Sequence, residues 1–106
     1  FETMQRSRER LAEEGVERVA RRTCATWLLD REASPAYPAL AALALRASAQ
    51  AARAGLDAME GWDGRDRLAT IRPPTLVVWG EGDRSYGWPL IEMLWRTIPG
   101  ASLAVL

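Results

Sequence analysis

The sequence has no histidine and no lysine, and it has a single cysteine, Cys24, among 106 residues. Without histidine, neither a complete Ser-His-Asp or Cys-His catalytic set nor a Cys/His zinc site can form within these residues. A single cysteine also excludes an internal disulfide. Because Cys24 falls in a helical pattern, we expect it to be a small, buried apolar residue. Any triad mechanism predicted from this sequence is therefore incomplete.

An excess of charge of one sign and a long apolar run are absent as well. Fourteen basic residues balance fourteen acidic ones, so the formal net charge is zero. This balance gives no electrostatic reason to expect nucleic acid or an anionic membrane as a partner. No stretch approaches the ~20 consecutive apolar residues that span a bilayer. We therefore expect a soluble, cytoplasmic protein.

Two segments of different composition meet near Gly61. The first 34 residues contain no proline, their apolar residues recur at helical spacing, and Gly15 predicts a bend between two helices. Residues 36–58 include eleven alanines and predict a further helix. The polar face of that helix is predicted to consist of Arg46, Gln50, Arg53, Asp57 and Glu60. The sequence thus predicts a helical segment over residues 1–61.

The second segment, residues 62–106, has the pattern of a parallel strand-helix-strand unit. Residues 75–79 are β-branched, aromatic or apolar at successive positions without alternation, as expected for a central strand that is covered on both faces. Pro89 suits the first turn of a helix, and a Pro-Gly pair ends that helix before a second apolar run begins at Ser102. The sequence therefore predicts two parallel strands joined by a helical crossover.

Asp83 is the candidate functional residue. It comes four residues after Trp79, just beyond the carboxyl end of the predicted strand, and parallel sheets bind ligands at that end. A structural role is also open, because aspartate in a glycine-rich turn commonly accepts hydrogen bonds from nearby backbone amides. The position of Asp83 in the sequence is compatible with both roles.

The order of features in residues 62–106 resembles the late part of the α/β-hydrolase fold. The resemblance consists of Leu68 and Ile71 ahead of a proline pair, an apolar strand, a Gly-x-x-Asp turn that ends at Asp83, and then a helix and a strand. The combined spacing is more specific than any one part. Within the family, the sequence is most similar in character to the enol-lactone hydrolases and the carbon-carbon bond hydrolases of aromatic degradation.

The resemblance implies an incomplete α/β fold. Residues 1–61 are implied to be a helical cap segment, and residues 62–106 are implied to be a partial core. Asp83 is implied to be the acid of a nucleophile-His-Asp triad, which orients the catalytic imidazole. The nucleophile elbow is implied to lie upstream of Phe1 and the histidine downstream of Leu106. The chain alone is therefore predicted to be inactive.

The implied activity is cleavage of a small ester, a lactone or an activated carbon-carbon bond. The expected partner of the complete protein is a small-molecule substrate, and no metal, organic cofactor, nucleic acid or membrane is implied. An epoxide or haloalkane hydrolase of the same fold, with a carboxylate nucleophile upstream, is one alternative. The other alternative is a non-enzymatic helical interaction module, in which Asp83 is only a turn residue.

Overall fold

A computed structural model describes residues 2–106 as mostly helical, with one pair of parallel strands. The helices are α1 (Met4–Glu14), α2 (Val16–Thr26), α3 (Tyr37–Ala44), α4 (Ala49–Met59) and α5 (Trp88–Thr97). The strands are β1 (Leu76–Trp79) and β2 (Ser102–Val105), and short 3₁₀ helices span Arg31–Ala33 and Arg65–Thr70. Contacts divide the chain into two compact units between Trp62 and Asp63. The assignment of residues 1–61 as a cap and residues 62–106 as a partial core stays a prediction.

The bend that the sequence predicted at Gly15 is confirmed. α1 begins after Thr3, whose hydroxyl accepts a hydrogen bond from the Arg6 amide at 3.1 Å. It ends at Gly15, which has a φ of 82° and donates its N–H to the Leu11 carbonyl. Glycine adopts this left-handed region without the steric penalty that a Cβ atom brings. α2 starts at the next residue, so one glycine separates two helices.

The alanine-rich segment forms two helices, which corrects the prediction of one helix over residues 36–58. α3 ends at Ala44, and α4 begins after Ser48, whose hydroxyl accepts a hydrogen bond from the Ala51 amide at 3.0 Å. Serine is a strong N-cap, so it starts a new helix where the alanine content alone predicts continuity. Arg46 was predicted to lie on the polar face of one continuous helix. In the structure it lies between α3 and α4 and is therefore not on a helix face.

Small side chains dominate the buried core of the first unit. Cys24 is 1% exposed, as the sequence predicted, and its Sγ lies 3.8 Å from the Leu40 carbonyl oxygen. Ala25 on α2 and Ala41 on α3 are also buried. Because these side chains are small, α2 and α3 can pack closely against each other.

The second unit has the predicted strand-helix-strand arrangement. β1 and β2 are adjacent and parallel, with Val77 opposite Leu103. α5 connects the two strands in sequence and packs on β1. Ile91 of α5, Ile98 just after it and Val77 are buried, and they form the core of this unit.

β1 has one exposed face, which differs from the covered central strand that its apolar run predicted. Leu76 and Val78 are 58% and 55% exposed, whereas Val77 between them is buried. Alternate side chains of a strand point to opposite faces, so α5 covers only the Val77 face. In residues 2–106 the sheet has two strands, and β1 is therefore an edge strand.

Among residues 2–106, no helix combines the length and the apolar character that crossing a membrane requires.

Candidate functional site

The loop that carries Asp83 starts where β1 ends, beside the end of β2. The Asp83 amide donates to the Gly80 carbonyl at 3.0 Å, which closes a four-residue turn. The Glu81 amide donates to the Leu106 carbonyl at 2.8 Å, and the Leu106 amide donates to the Trp79 carbonyl at 2.9 Å. The carboxyl ends of both strands therefore lie at the same end of the sheet, and the Asp83 loop lies there too.

The Asp83 carboxylate is exposed, and backbone amides hold it in place. Its Oδ1 accepts hydrogen bonds from the Ser85 amide at 2.7 Å and from the Tyr86 amide at 3.0 Å. These hydrogen bonds correspond to one of the two roles considered for Asp83, that of a turn residue that binds nearby backbone amides. In the part of the chain that the structure describes, Oδ2 accepts no hydrogen bond. The role of Asp83 as a triad acid stays a prediction.

A row of three tryptophans supports this loop at both ends. Trp79, which ends β1, donates its indole N–H to the Tyr86 carbonyl at 2.9 Å. Its ring centroid lies 5.7 Å from that of Trp88, and the Trp88 centroid lies 6.4 Å from that of Trp95, with both pairs tilted by 48°. Tilted aromatic pairs contribute about 0.5–1.5 kcal/mol beyond the burial of their surface. The row therefore restrains the start of the loop at Trp79 and its end at Trp88.

The tryptophan row was not predicted from the sequence. Trp88 and Trp95 are seven residues apart, and this spacing places them on one face of a helix. From this spacing, the neighbouring positions of Trp88 and Trp95 could have been predicted. The sequence does not show that the indole of Trp79 faces the loop, because this orientation depends on how α5 packs on β1.

A charged cluster joins α1 to α4 in the first unit. Arg8 Nε donates to Asp57 Oδ1 at 2.7 Å, and the two terminal nitrogens of Arg8 donate to the two Glu60 carboxylate oxygens at 3.3 and 2.5 Å. The hydrogen bond between Arg8 and Glu60 is the main cause of two shifts, a raised pKa of Arg8 and a lowered pKa of Glu60. The guanidinium stays charged and binds both carboxylates, so the cluster connects α1 to the end of α4.

A cavity of about 230 Å³ also lies in the first unit. It is lined by Val16, Glu17, Leu45 and Ala47. Its charged lining group, Glu17, accepts hydrogen bonds from Arg21 at 3.1 and 3.2 Å. Among the described residues, the lining lacks the several convergent polar groups that are typical of a catalytic pocket. The Asp83 loop is therefore the stronger candidate site.

Comparisons with known proteins do not assign the site. No family model matches the chain, and no curated protein or solved structure matches it either. Within the described residues, no three side chains from histidine, cysteine, aspartate and glutamate are grouped to hold a metal ion.

Proposed function

We propose that this chain is part of an α/β-fold hydrolase that cleaves a small ester, a lactone or an activated carbon-carbon bond, with Asp83 as its triad acid. The observation that carries the proposal is the position of Asp83. It lies four residues after the end of a parallel strand, in a loop that begins beside the end of the next parallel strand. Ligands of open α/β sheets bind outside the carboxyl ends of the strands.

The proposed task of Asp83 is to orient an imidazole. Its Oδ1 is fixed by the amides of Ser85 and Tyr86, so Oδ2 is the atom that accepts the imidazole N–H. The carboxylate then maintains the tautomer in which the other ring nitrogen can take the proton of the nucleophile. It also stabilises the imidazolium that forms when that proton is transferred.

The register of the sheet supports a histidine that follows β2. The Leu106 carbonyl accepts a hydrogen bond from the Glu81 amide, two residues before Asp83. A segment that continues beyond Leu106 therefore starts beside the Asp83 loop, and we expect the histidine on that segment. A nucleophile elbow on an upstream strand completes the triad.

The test is a longer polypeptide that includes the coding sequence on both sides of these residues. We expect a Gly-x-Ser-x-Gly elbow upstream, a histidine downstream, and hydrolysis of a nitrophenyl ester by the longer chain. Asp83→Asn is expected to lower kcat about 10⁴-fold with little change in KM, because the amide favours the wrong imidazole tautomer. Asp63→Asn is the matched control, since Asp63 pairs with Arg65 in the same unit and is expected to be dispensable for activity.

The 106-residue chain serves as a further control. It is expected to leave the ester intact, because it holds no histidine. Hydrolysis by this chain that disappears in Asp83→Ala indicates a different catalytic set. Flanking sequences with neither elbow nor histidine, or full activity of the longer chain in Asp83→Asn, overturn the proposal.

A non-enzymatic interaction module is the second candidate, and two exposed tryptophans favour it. Trp62 is 77% exposed and Trp27 is 64% exposed, and tryptophan is enriched among the residues that dominate protein interfaces. In this case the contacts of Asp83 Oδ1 are its whole role. A discrete complex with a defined partner chain that Trp62→Ala weakens and Asp83→Asn does not affect favours the module over the hydrolase.

A further inference from the structure

Two hydrogen bonds meet at the main chain of Tyr86, one on its amide and one on its carbonyl. The Tyr86 amide donates to Asp83 Oδ1 at 3.0 Å, and the Tyr86 carbonyl accepts the indole N–H of Trp79 at 2.9 Å. The main chain of a residue has only two soft dihedral angles, so the positions of its amide and its carbonyl depend on each other. The Trp79 indole and the Asp83 carboxylate are therefore coupled through Tyr86.

The hydrogen bond from the indole ties the second half of the loop to β1. The first half is held by main-chain hydrogen bonds to the carbonyls of Leu106 and Gly80. The hydrogen bonds that Asp83 Oδ1 accepts are local to the loop and span at most three residues. The one from Trp79 spans seven residues and starts on the last residue of the strand. It therefore connects the part of the loop that binds the carboxylate to the sheet.

Packing against α5 holds the Trp79 indole in this direction. The Trp79 side chain is half-buried, and its ring lies 5.7 Å from that of Trp88, the first residue of α5. Trp88 packs in turn against Trp95. An indole has a single N–H donor and no acceptor, and Trp79 gives that donor to Tyr86. Trp79 therefore acts on the loop and not on a reacting group.

The direction of the Asp83 carboxylate matters for the reaction proposed above. Its Oδ1 is bound by backbone amides, and Oδ2 has to meet an imidazole N–H at hydrogen-bond distance. A misplacement of about 1 Å in a catalytic arrangement can cost about 10²-fold in rate. A shift of the Tyr86 amide changes the direction of the carboxylate that it binds. A residue of β1 can therefore influence the acid through Tyr86.

We propose that Trp79 is a positioning residue for Asp83, because its indole N–H fixes the main chain of Tyr86 and thereby the carboxylate. The catalytic consequence rests on the proposed hydrolase function, whereas the effect on the loop does not. Trp79→Phe is the test variant, since it keeps an aromatic ring beside Trp88 and removes the N–H donor. Trp95→Phe is the matched control, because it makes the same change at the other end of the row.

Amide exchange of the full chain, followed by NMR, measures the effect on the loop. Trp79→Phe is expected to speed exchange of the Ser85 and Tyr86 amides about fivefold, because one hydrogen bond of ordinary net strength is lost. Exchange in α5 is expected to stay at the native rate. Trp95→Phe is expected to leave the Ser85 and Tyr86 amides unchanged. Native exchange of these amides in Trp79→Phe overturns the proposal, whatever the longer polypeptide does.

A reciprocal measurement decides the case in which Trp79→Phe unfolds the unit. Coupling between two groups acts in both directions, so loss of the Asp83 carboxylate is expected to loosen the Trp79 indole. In Asp83→Ala we expect the Trp79 indole N–H to exchange about threefold to fivefold faster than in the native chain. Asp63→Ala is the matched control, since Asp63 pairs with Arg65. An indole that exchanges at the native rate in Asp83→Ala contradicts the coupling.

Kinetics of the longer polypeptide test the catalytic consequence. Trp79→Phe is expected to lower kcat about fivefold with little change in KM, because a misdirected acid weakens the transition state and not substrate binding. In an Asp83→Ala background it is expected to have no further effect, whereas a general loss of stability lowers kcat in both backgrounds. Faster loop exchange with an unchanged kcat overturns the role of Trp79 in catalysis. A longer polypeptide without activity overturns the hydrolase proposal, and the exchange measurements then still decide whether Trp79 fixes the loop.

Discussion

The two units of the chain are stabilised by different kinds of side chain. The buried residues of the first unit are mostly small and lie between helices, and the smallest are Cys24, Ala25 and Ala41. The buried residues of the second unit are branched aliphatic ones between a helix and a sheet, namely Val77, Ile91 and Ile98. Helices that pack through alanine depend on close approach, whereas one helix on two strands depends on the volume that its side chains supply.

This contrast predicts opposite sensitivities. A smaller buried side chain is expected to destabilise the second unit, whereas a larger buried side chain is expected to destabilise the first. Ile91→Ala acts on the second unit, and Ala41→Leu acts on the first. Amide hydrogen exchange resolves their effects, because it reports the stability of each helix and strand separately.

Ile91→Ala is expected to have the largest effect. It removes most of a buried side chain between α5 and β1, and such substitutions destabilise by about 2–5 kcal/mol. We expect faster amide exchange in β1, α5 and β2. Leu90→Ala on the same helix is the matched control, since Leu90 is exposed. Equal effects of the two substitutions show that the volume of Ile91 is not what stabilises this unit.

Ala41→Leu is expected to have the next largest effect, and in the first unit. A larger side chain at this buried position separates α2 from α3, and overpacking of this kind costs about 1–3 kcal/mol. Ala42→Leu places the same side chain at the exposed neighbouring position and is expected to be close to neutral. The readout is amide exchange in α2 and α3 together with thermal unfolding. A neutral Ala41→Leu contradicts the close packing of these helices.

The sequence predicted those parts of the fold that depend on neighbouring residues. The bend at Gly15 and the parallel strand-helix-strand order follow from local spacing, proline and glycine, and the structure confirms both. The break before Ser48 was missed because a serine N-cap competes with a long run of alanine, and composition favoured the alanine. The exposed face of β1 was missed because an apolar run does not show how many layers cover it.

For the candidate site, too, the sequence predicted the local features and not the contacts between distant residues. The placement of Asp83 after a parallel strand followed from the apolar run and the Gly-x-x-Asp turn. The hydrogen bond from the Trp79 indole to the Tyr86 carbonyl depends on tertiary packing. The partners of Arg8 were not predicted either, because Asp57 and Glu60 are 49 and 52 residues away in the sequence. Contacts between distant residues leave no local pattern.

Arg8→Met is expected to have the smallest effect of the three, and its pH dependence identifies the cause. The hydrogen bond from Arg8 lowers the pKa of Glu60 below its ordinary value of 4.5. A carboxyl group whose pKa is lower in the folded chain stabilises the fold above the ordinary pKa, and this contribution is lost as the pH falls through the folded value. The contribution is therefore complete at pH 7 and declines only below about pH 4.5.

The substitution removes this contribution at neutral pH. The free energies of unfolding of the native chain and of Arg8→Met are therefore expected to differ at pH 7 and to converge as Glu60 becomes protonated. Added salt is expected to reduce the difference, because both carboxylates are largely exposed. Arg96→Met is the matched control, since Arg96 pairs with Glu92 on the same helix, α5. A difference between Arg8→Met and the native chain that is the same at pH 7 and at pH 3 shows that the aliphatic stem of Arg8, rather than its charge, connects α1 and α4.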